Sequence, residues 1–220
     1  MPSWRAEPRR LTGAWLAYRQ AAPDTAPLFH AAGEPYPIQR SGRWHVRGEG
    51  YAQYMALDAQ GAWCELIRYE GIRANARAAQ YTRRLWLIYA AEHDIADLSS
   101  FAEWEACGLD PRIAVAEHGA CQQLAGELRA ADYRGVLSPS AALPGAVNLT
   151  LFGERYEKVL RTQPERWKNP LPGLRLPCNL IAEAGPPSEL ITETCFPGMQ
   201  HDGYREYLRA HRRAGPKGAP

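Results

Sequence analysis

Lysine is nearly missing from this chain of 220 residues: only Lys158, Lys168 and Lys217 among its 26 basic residues are lysine, and the rest are arginine. Net charge is small too, +2 with 24 acidic side chains against those 26. Such a balance gives no broad basic field for coating a nucleic acid or a membrane surface, so no direct nucleic-acid or membrane partner is expected. The five cysteines, Cys64, Cys107, Cys121, Cys178 and Cys195, include no C-x-x-C pair and are odd in number. That excludes the usual disulfide framework or zinc knuckle and predicts reduced thiols. The longest unbroken apolar run, Leu85 to Ala91, is far short of the ~20 residues that span a bilayer, and no apolar leader follows the Arg- and Pro-rich start, Met1 to Arg10. A cytoplasmic protein is expected. Gly48-Glu49-Gly50 lacks the lysine of a phosphate loop. Glu92-His93-Asp94 and His118 lack the paired spacing of a metal site, so no metal is expected.

What is present is an ordinary globular composition, 45% hydrophobic and 10% aromatic, with a length that suits one large domain or one domain plus an extension. Strands are predicted over Ala14–Tyr18, Tyr51–Leu57, Arg84–Ala91, Tyr133–Leu137 and Asn148–Phe152. Helices are predicted from Gly61 to Arg68, from a Ser99 or Ser100 cap to Gly108, and from Val115 to Ala131 with Ala120, Leu124 and Leu128 on one face. Residues Ala21 to Gly50 read as a long loop, and long loops inside a compact domain are usually functional. Beyond Phe152 the pattern changes. Nine of the 18 prolines lie from Pro164 onward, so 1–152 reads as the catalytic unit and 153–220 as a Pro-rich extension packed on it, with a basic helix near 204–213 and a frayed end from Ala214 to Pro220. The fold class is α+β, without a regular β-α-β alternation.

Three polar residues recur at intervals of 11 positions: Arg43 in Ser-Gly-Arg-Trp, Tyr54 in Gln-Tyr-Met and Glu65 in Trp-Cys-Glu-Leu. Tyr18-Arg19 precede them. Asp97-Leu98, the loop Leu137-Ser138-Pro139-Ser140 and the Asn148 strand follow in order. Together these segments, from Tyr18 to Phe152, make the chain resemble the RES domain family, toxins of bacterial toxin–antitoxin pairs with an ADP-ribosyltransferase-like fold. His45 departs from the pattern, since an asparagine commonly follows the family's Gly-Arg-Trp.

The resemblance implies NAD as substrate, with no separate cofactor, and cleavage of the nicotinamide–ribose bond by phosphorolysis or hydrolysis. Arg43, Glu65 and Ser140 are the expected catalytic set; Ser138 is a rival for Ser140. Tyr18, Arg19, Tyr54, Trp44 and Asn148 are expected around the substrate. The chemistry fits the residue types. Arginine forks bidentately onto phosphates, a tyrosine face suits nicotinamide, and a carboxylate stabilises positive charge developing on ribose. Trp44 reads more readily as a packing residue beside the site. The implied partners are inorganic phosphate and a separately encoded antitoxin, sometimes with an Xre-like DNA-binding domain; the extension after Phe152 is open to three roles, a cap over the site, the interface of a homo-oligomer or a stand-in for the antitoxin. Two other readings are protein ADP-ribosylation and a catalytically degenerate RES fold kept as a binding module.

Overall fold

The computed structural model describes residues 2–29, 39–116, 118–159 and 174–214. Part of the loop expected over 21–50, residues 160–173 of the Pro-rich extension and residues 215–220 of the expected frayed end lie outside them. The strands are β1 (Arg10–Ala21), β2 (Ala52–Ala56), β3 (Arg83–Asp97), β4 (Gly135–Pro139), β5 (Val147–Phe152), β6 (Tyr156–Val159) and β7 (Arg175–Ala184). The α-helices are α1 (Ala59–Glu70), α2 (Asn75–Ala78), α3 (Phe101–Ala106), α4 (His118–Ala130), α5 (Leu190–Glu193) and α6 (Asp202–Ala214).

The sheet order is β1-β2-β5-β4-β3-β7-β6, and β1 also pairs with β3. The first five strands therefore close into a ring. β1 runs antiparallel to β3 from Arg10↔Ala96 to Ala21↔Arg84, but it meets β2 only at Tyr18↔Ala56. That thin seam leaves room for a cleft. Ala17, Ile88, Ala90, Ile95, Leu137, Leu149 and Leu151 form one buried cluster on these strands. α1 packs a second cluster through Leu66 and Ile67, and α3 and α4 a third around Trp104, Leu124 and Leu128.

β3 is longer than its apolar run because a bulge carries it past Glu92. Thr12 alone faces His93 and Asp94 between the pairs Gly13↔Glu92 and Leu11↔Ile95, and Asp94 takes the left-handed φ of 53°. One extra residue resets the inward face, so Ile88, Ala90 and Ile95 share a core despite the broken alternation. The Glu92-His93-Asp94 run is thus structural: Asp94 accepts from Arg10 at 3.3 Å, and Glu92 pairs with buried Arg155 at 2.9 Å.

The remaining differences from the sequence reading have local causes. α1 starts before Gly61 because the Asp58 carboxylate caps it by accepting from Gly61 N–H. Ser100 caps α3, while the Ser99 hydroxyl donates to Asp97 at 2.7 Å. A 3-10 turn over Pro111–Ala114 delays α4, whose buried face carries Cys121, Leu124, Ala125 and Leu128, with Ala120 exposed. Beyond Phe152 the chain is not irregular throughout, since β7 pairs antiparallel with β3 and parallel with β6. Pro177 obscures that strand in the sequence, yet Leu176 and Cys178 on either side are buried. All five cysteines are free and buried. Among the described residues no helix is long and apolar enough to cross a membrane.

Candidate active site

A cleft of about 760 Å³ is lined by residues of β1 and β2 at their seam, by α1 and by the 39–45 loop, a size typical of small-molecule sites, which run to ~300–1,000 Å³. Of the residues expected from sequence, Tyr18, Arg19, Arg43, Trp44, Tyr54, Glu65 and Asn148 line it. Ser140 does not. It is fully buried and meets Glu65 instead.

Glu65 sits on α1, and its Oε1 accepts from Ser140 Oγ at 2.8 Å and from Asn148 Nδ2 at 2.7 Å. The Ser140 hydroxyl in turn accepts the N–H groups of Ala142 and Leu143, each at 3.1 Å. Ser138, the rival serine, is buried in β4 opposite Asn148. Two donors on one oxygen fix the carboxylate while its other oxygen keeps its capacity for a ligand. Asn148 Oδ1 is buried with no partner among the described residues.

The Gly42–His45 turn forms the wall that carries Arg43. Arg43 Nη1 donates to the carbonyls of Ala114 and Ala116 at 3.1 and 3.0 Å, so part of the fork is anchored and the rest is available to an anion. Trp44 is buried against Trp104 in the α3–α4 core, which makes it a packing residue. Its N–H donates to the Tyr54 hydroxyl at 2.8 Å, and that hydroxyl lies 2.9 Å from His45 Nδ1. Having accepted from Trp44, the phenol donates to a neutral His45. Gly42 is glycine because a Cβ there would stand 2.6 Å from the Tyr54 oxygen. Burial raises the Tyr54 phenol, so it stays protonated.

Arg19 occupies the other side of the seam, its guanidinium 4.9 Å above the Phe29 ring. Its Nη1 is buried with no partner among the described residues, and burial lowers the group to about 10, still charged at neutral pH. Tyr18 is half-buried against the α1 cluster. Glu157, buried on β6, is pushed up to about 7 by the same desolvation, opposed by Arg19.

Four residues escaped the sequence reading. Arg68, three positions after Glu65 on α1, lines the cleft and donates to the Cys195 carbonyl; helical spacing alone would have found it. Gln122 and Arg129 of α4 hold the turn through the carbonyls of Gly42 and Trp44, each at 2.8 Å. His201, buried just before α6, lies 3.0 Å from the Ser140 carbonyl. No local sequence signal marks the last three.

His45 and His201 are both lowered, by burial first and then chiefly by Arg129 for His45, and for His201 by Arg68 and Arg43 despite the Ser140 bond. An unfolded histidine protonates near ~6.5, so the unfolded chain takes up these protons first and stability falls as pH drops below that value. Glu157 acts with the opposite sign between about 7 and its unfolded range, because its folded carboxyl is protonated first. In a Glu157→Gln variant, the thermal midpoint is expected to fall steadily from pH 7.5 to 5.5. A flat midpoint in that variant contradicts neutral buried histidines.

With that geometry in hand, the RES domain family profile matches residues 4–171. A probable NAD(+) phosphorylase of Mycobacterium tuberculosis is 28% identical over 145 residues, 63% of this chain and 69% of that protein. Among solved structures, a chain of the M. tuberculosis MbcT–MbcA toxin–antitoxin complex superposes with a TM-score of 0.56 at 19% identity, covering 84% of this chain and 91% of its own.

Proposed function

Because this chain belongs to the RES domain family, we propose that it degrades NAD by breaking the bond between nicotinamide and ribose, with inorganic phosphate as acceptor. The observation that carries the reading is Glu65: a carboxylate held by Ser140 and Asn148 at the wall of a cleft that also presents Arg19, Arg43 and Arg68. The similarity to a probable NAD(+) phosphorylase supports the choice of acceptor.

In this mechanism the electron pair of the glycosidic bond leaves with nicotinamide, which becomes neutral, and positive charge spreads over the ribose carbon and ring oxygen. Glu65 stabilises that charge as it develops, an interaction stronger in the transition state than in the ground state. A phosphate oxygen then bonds to the ribose carbon, giving phosphorylated ADP-ribose. Arg43, Arg68 and Arg19 hold the pyrophosphate and the incoming phosphate. Tyr54 offers its ring to nicotinamide, beside Tyr18. Asn148 and Ser140 position Glu65, and Trp44 supports the Arg43 turn. NAD is the substrate, and no separate cofactor enters the scheme.

The protein acts as the toxin of a pair in the cytoplasm, depleting NAD until a separate antitoxin restrains it. The structural likeness to a chain from a toxin–antitoxin complex supports that assignment. Following NAD loss by purified protein in phosphate-containing and phosphate-free buffer tests the reaction. Loss that needs phosphate supports it, and no loss in either buffer removes it. Label moving from NAD onto lysate protein would favour ADP-ribosylation instead.

A further inference from the structure

The family profile ends at residue 171, yet the chain beyond it reaches the site. Cys195 N–H donates to the Ala142 carbonyl at 2.7 Å and its carbonyl accepts from Arg68, while Pro197 lines the cleft. His201 makes the most directed of these contacts. It stands immediately before α6, where the first helical bond runs from Arg205 N–H to its carbonyl at 3.0 Å. Its Nδ1 accepts from Tyr204 N–H at 3.2 Å, the geometry of a side-chain N-cap, which satisfies one of the helix's orphan donors. With Nδ1 accepting, the ring proton resides on Nε2, and Nε2 donates to the Ser140 carbonyl at 3.0 Å. One neutral imidazole thus joins the start of α6 to the loop that holds Glu65.

The surroundings fix the ring. His201 is 6% exposed, and Phe101 of α3 meets it edge-on with ring centroids 5.9 Å apart. A Cβ on Gly203 would stand 3.3 Å from its Cε1 and 3.7 Å from the Gly145 nitrogen, so α6 comes in close beside both the imidazole and the 140–146 loop. Tyr204 and Tyr207 pack on Phe101 from the same helix. The geometry points to His201 as a positioning residue for the reaction, holding Ser140, and through Ser140 the Glu65 carboxylate, in place from outside the family-matched segment. This rests on the NAD-cleaving reading for its activity arm but not for its structural arm.

The two bonds of the ring can be separated by substitution. His201→Asn retains an acceptor at the position of Nδ1, since asparagine is among the best N-caps, and loses the donor to Ser140. His201→Gln places an amide nitrogen near the Nε2 position, retains the Ser140 bond and loses the cap. The Asn variant is expected to keep near wild-type thermal stability while kcat falls ~10- to 100-fold with little change in KM, the scale of a misplaced catalytic group. The Gln variant is expected to melt earlier and to keep kcat within a few-fold. A purely structural role predicts the reverse ordering, activity tracking stability, and that result overturns the inference. Amide exchange at Ala142 and Leu143, whose N–H groups bond Ser140 Oγ, gives a readout independent of NAD: faster in Asn, unchanged in Gln. If the wild type leaves NAD intact while exchange follows that pattern, the functional reading falls and the positioning stands. Equal exchange in both variants removes the positioning itself.

Discussion

A Glu65→Gln protein is expected to fold and melt like the wild type, to bind NAD, and to consume it ~10²- to 10³-fold more slowly, the usual loss when one electrostatic stabiliser of a transition state is removed. Glutamine is the informative choice because its carbonyl oxygen still accepts from Ser140 Oγ and Asn148 Nδ2, the two bonds that Glu65 Oε1 now receives. Shape and anchoring persist and only the charge is lost. The effect belongs in kcat, since ground-state NAD gains little from a carboxylate whose task begins when the ribose becomes cationic. Steady-state kinetics beside a thermal melt separates the two quantities. Turnover equal to the wild type's would show that the charge of Glu65 does not serve the chemistry.

The second large effect lies away from the cleft, at Glu92. Its carboxylate and the Arg155 guanidinium are 2.9 Å apart with both side chains 3% exposed, and Arg134 approaches the other carboxylate oxygen at 3.4 Å. Arg155 further donates to the carbonyls of Phe152 and Glu154 at 3.0 and 2.7 Å, tying the end of β5 to the start of β6. Glu92→Ala leaves that guanidinium buried without its counter-charge, and removing one partner of such a pair costs ~3–5 kcal/mol. Chemical denaturation is expected to show a loss of that order. Replacing both residues by leucine should recover part of it, because the pair's desolvation cost disappears with the pair, while the two carbonyls lose their donor. A single variant within ~1 kcal/mol of wild type would mean that water reaches the site, since exposed pairs contribute only ~0–1 kcal/mol.

How much of this was readable beforehand follows the range of the interactions. The short-range signals that were read survive in the structure: Ser100 caps a helix, Gly108 follows its end in the left-handed region, and the five strands read from apolar patterning all exist. The ordered polar residues also converge, because one helix, one strand and one turn deliver Glu65, Tyr54 and Arg43 to the same cleft. What escaped is long-range. The ring closure between β1 and β3 leaves no local trace, nor does the reach of Gln122 and Arg129 onto the 42–45 turn. β7 was hidden by Pro177 and by its exposed residues Leu180 and Ile181. Ser140 shows the limit most clearly. Its place in the pattern suggested contact with the substrate, whereas its hydroxyl is spent on Glu65 and on two loop amides.

The scarcity of lysine also takes on meaning at single positions. Arg43 uses one arm on two backbone carbonyls and Arg68 one arm on a third, so each is fixed and still presents donors to an anion. A lysine has a single ammonium and no fork to divide in that way.

The most direct test is a phosphorus NMR time course on one tube of purified protein, NAD and a stoichiometric amount of inorganic phosphate, with nicotinamide followed by proton signals. The predicted result is loss of inorganic phosphate mole for mole with nicotinamide released, the appearance of one new phosphomonoester, and an intact pyrophosphate. Nicotinamide release with the phosphate signal unchanged would contradict phosphorolysis, and NAD remaining whole throughout would contradict the account of the cleft.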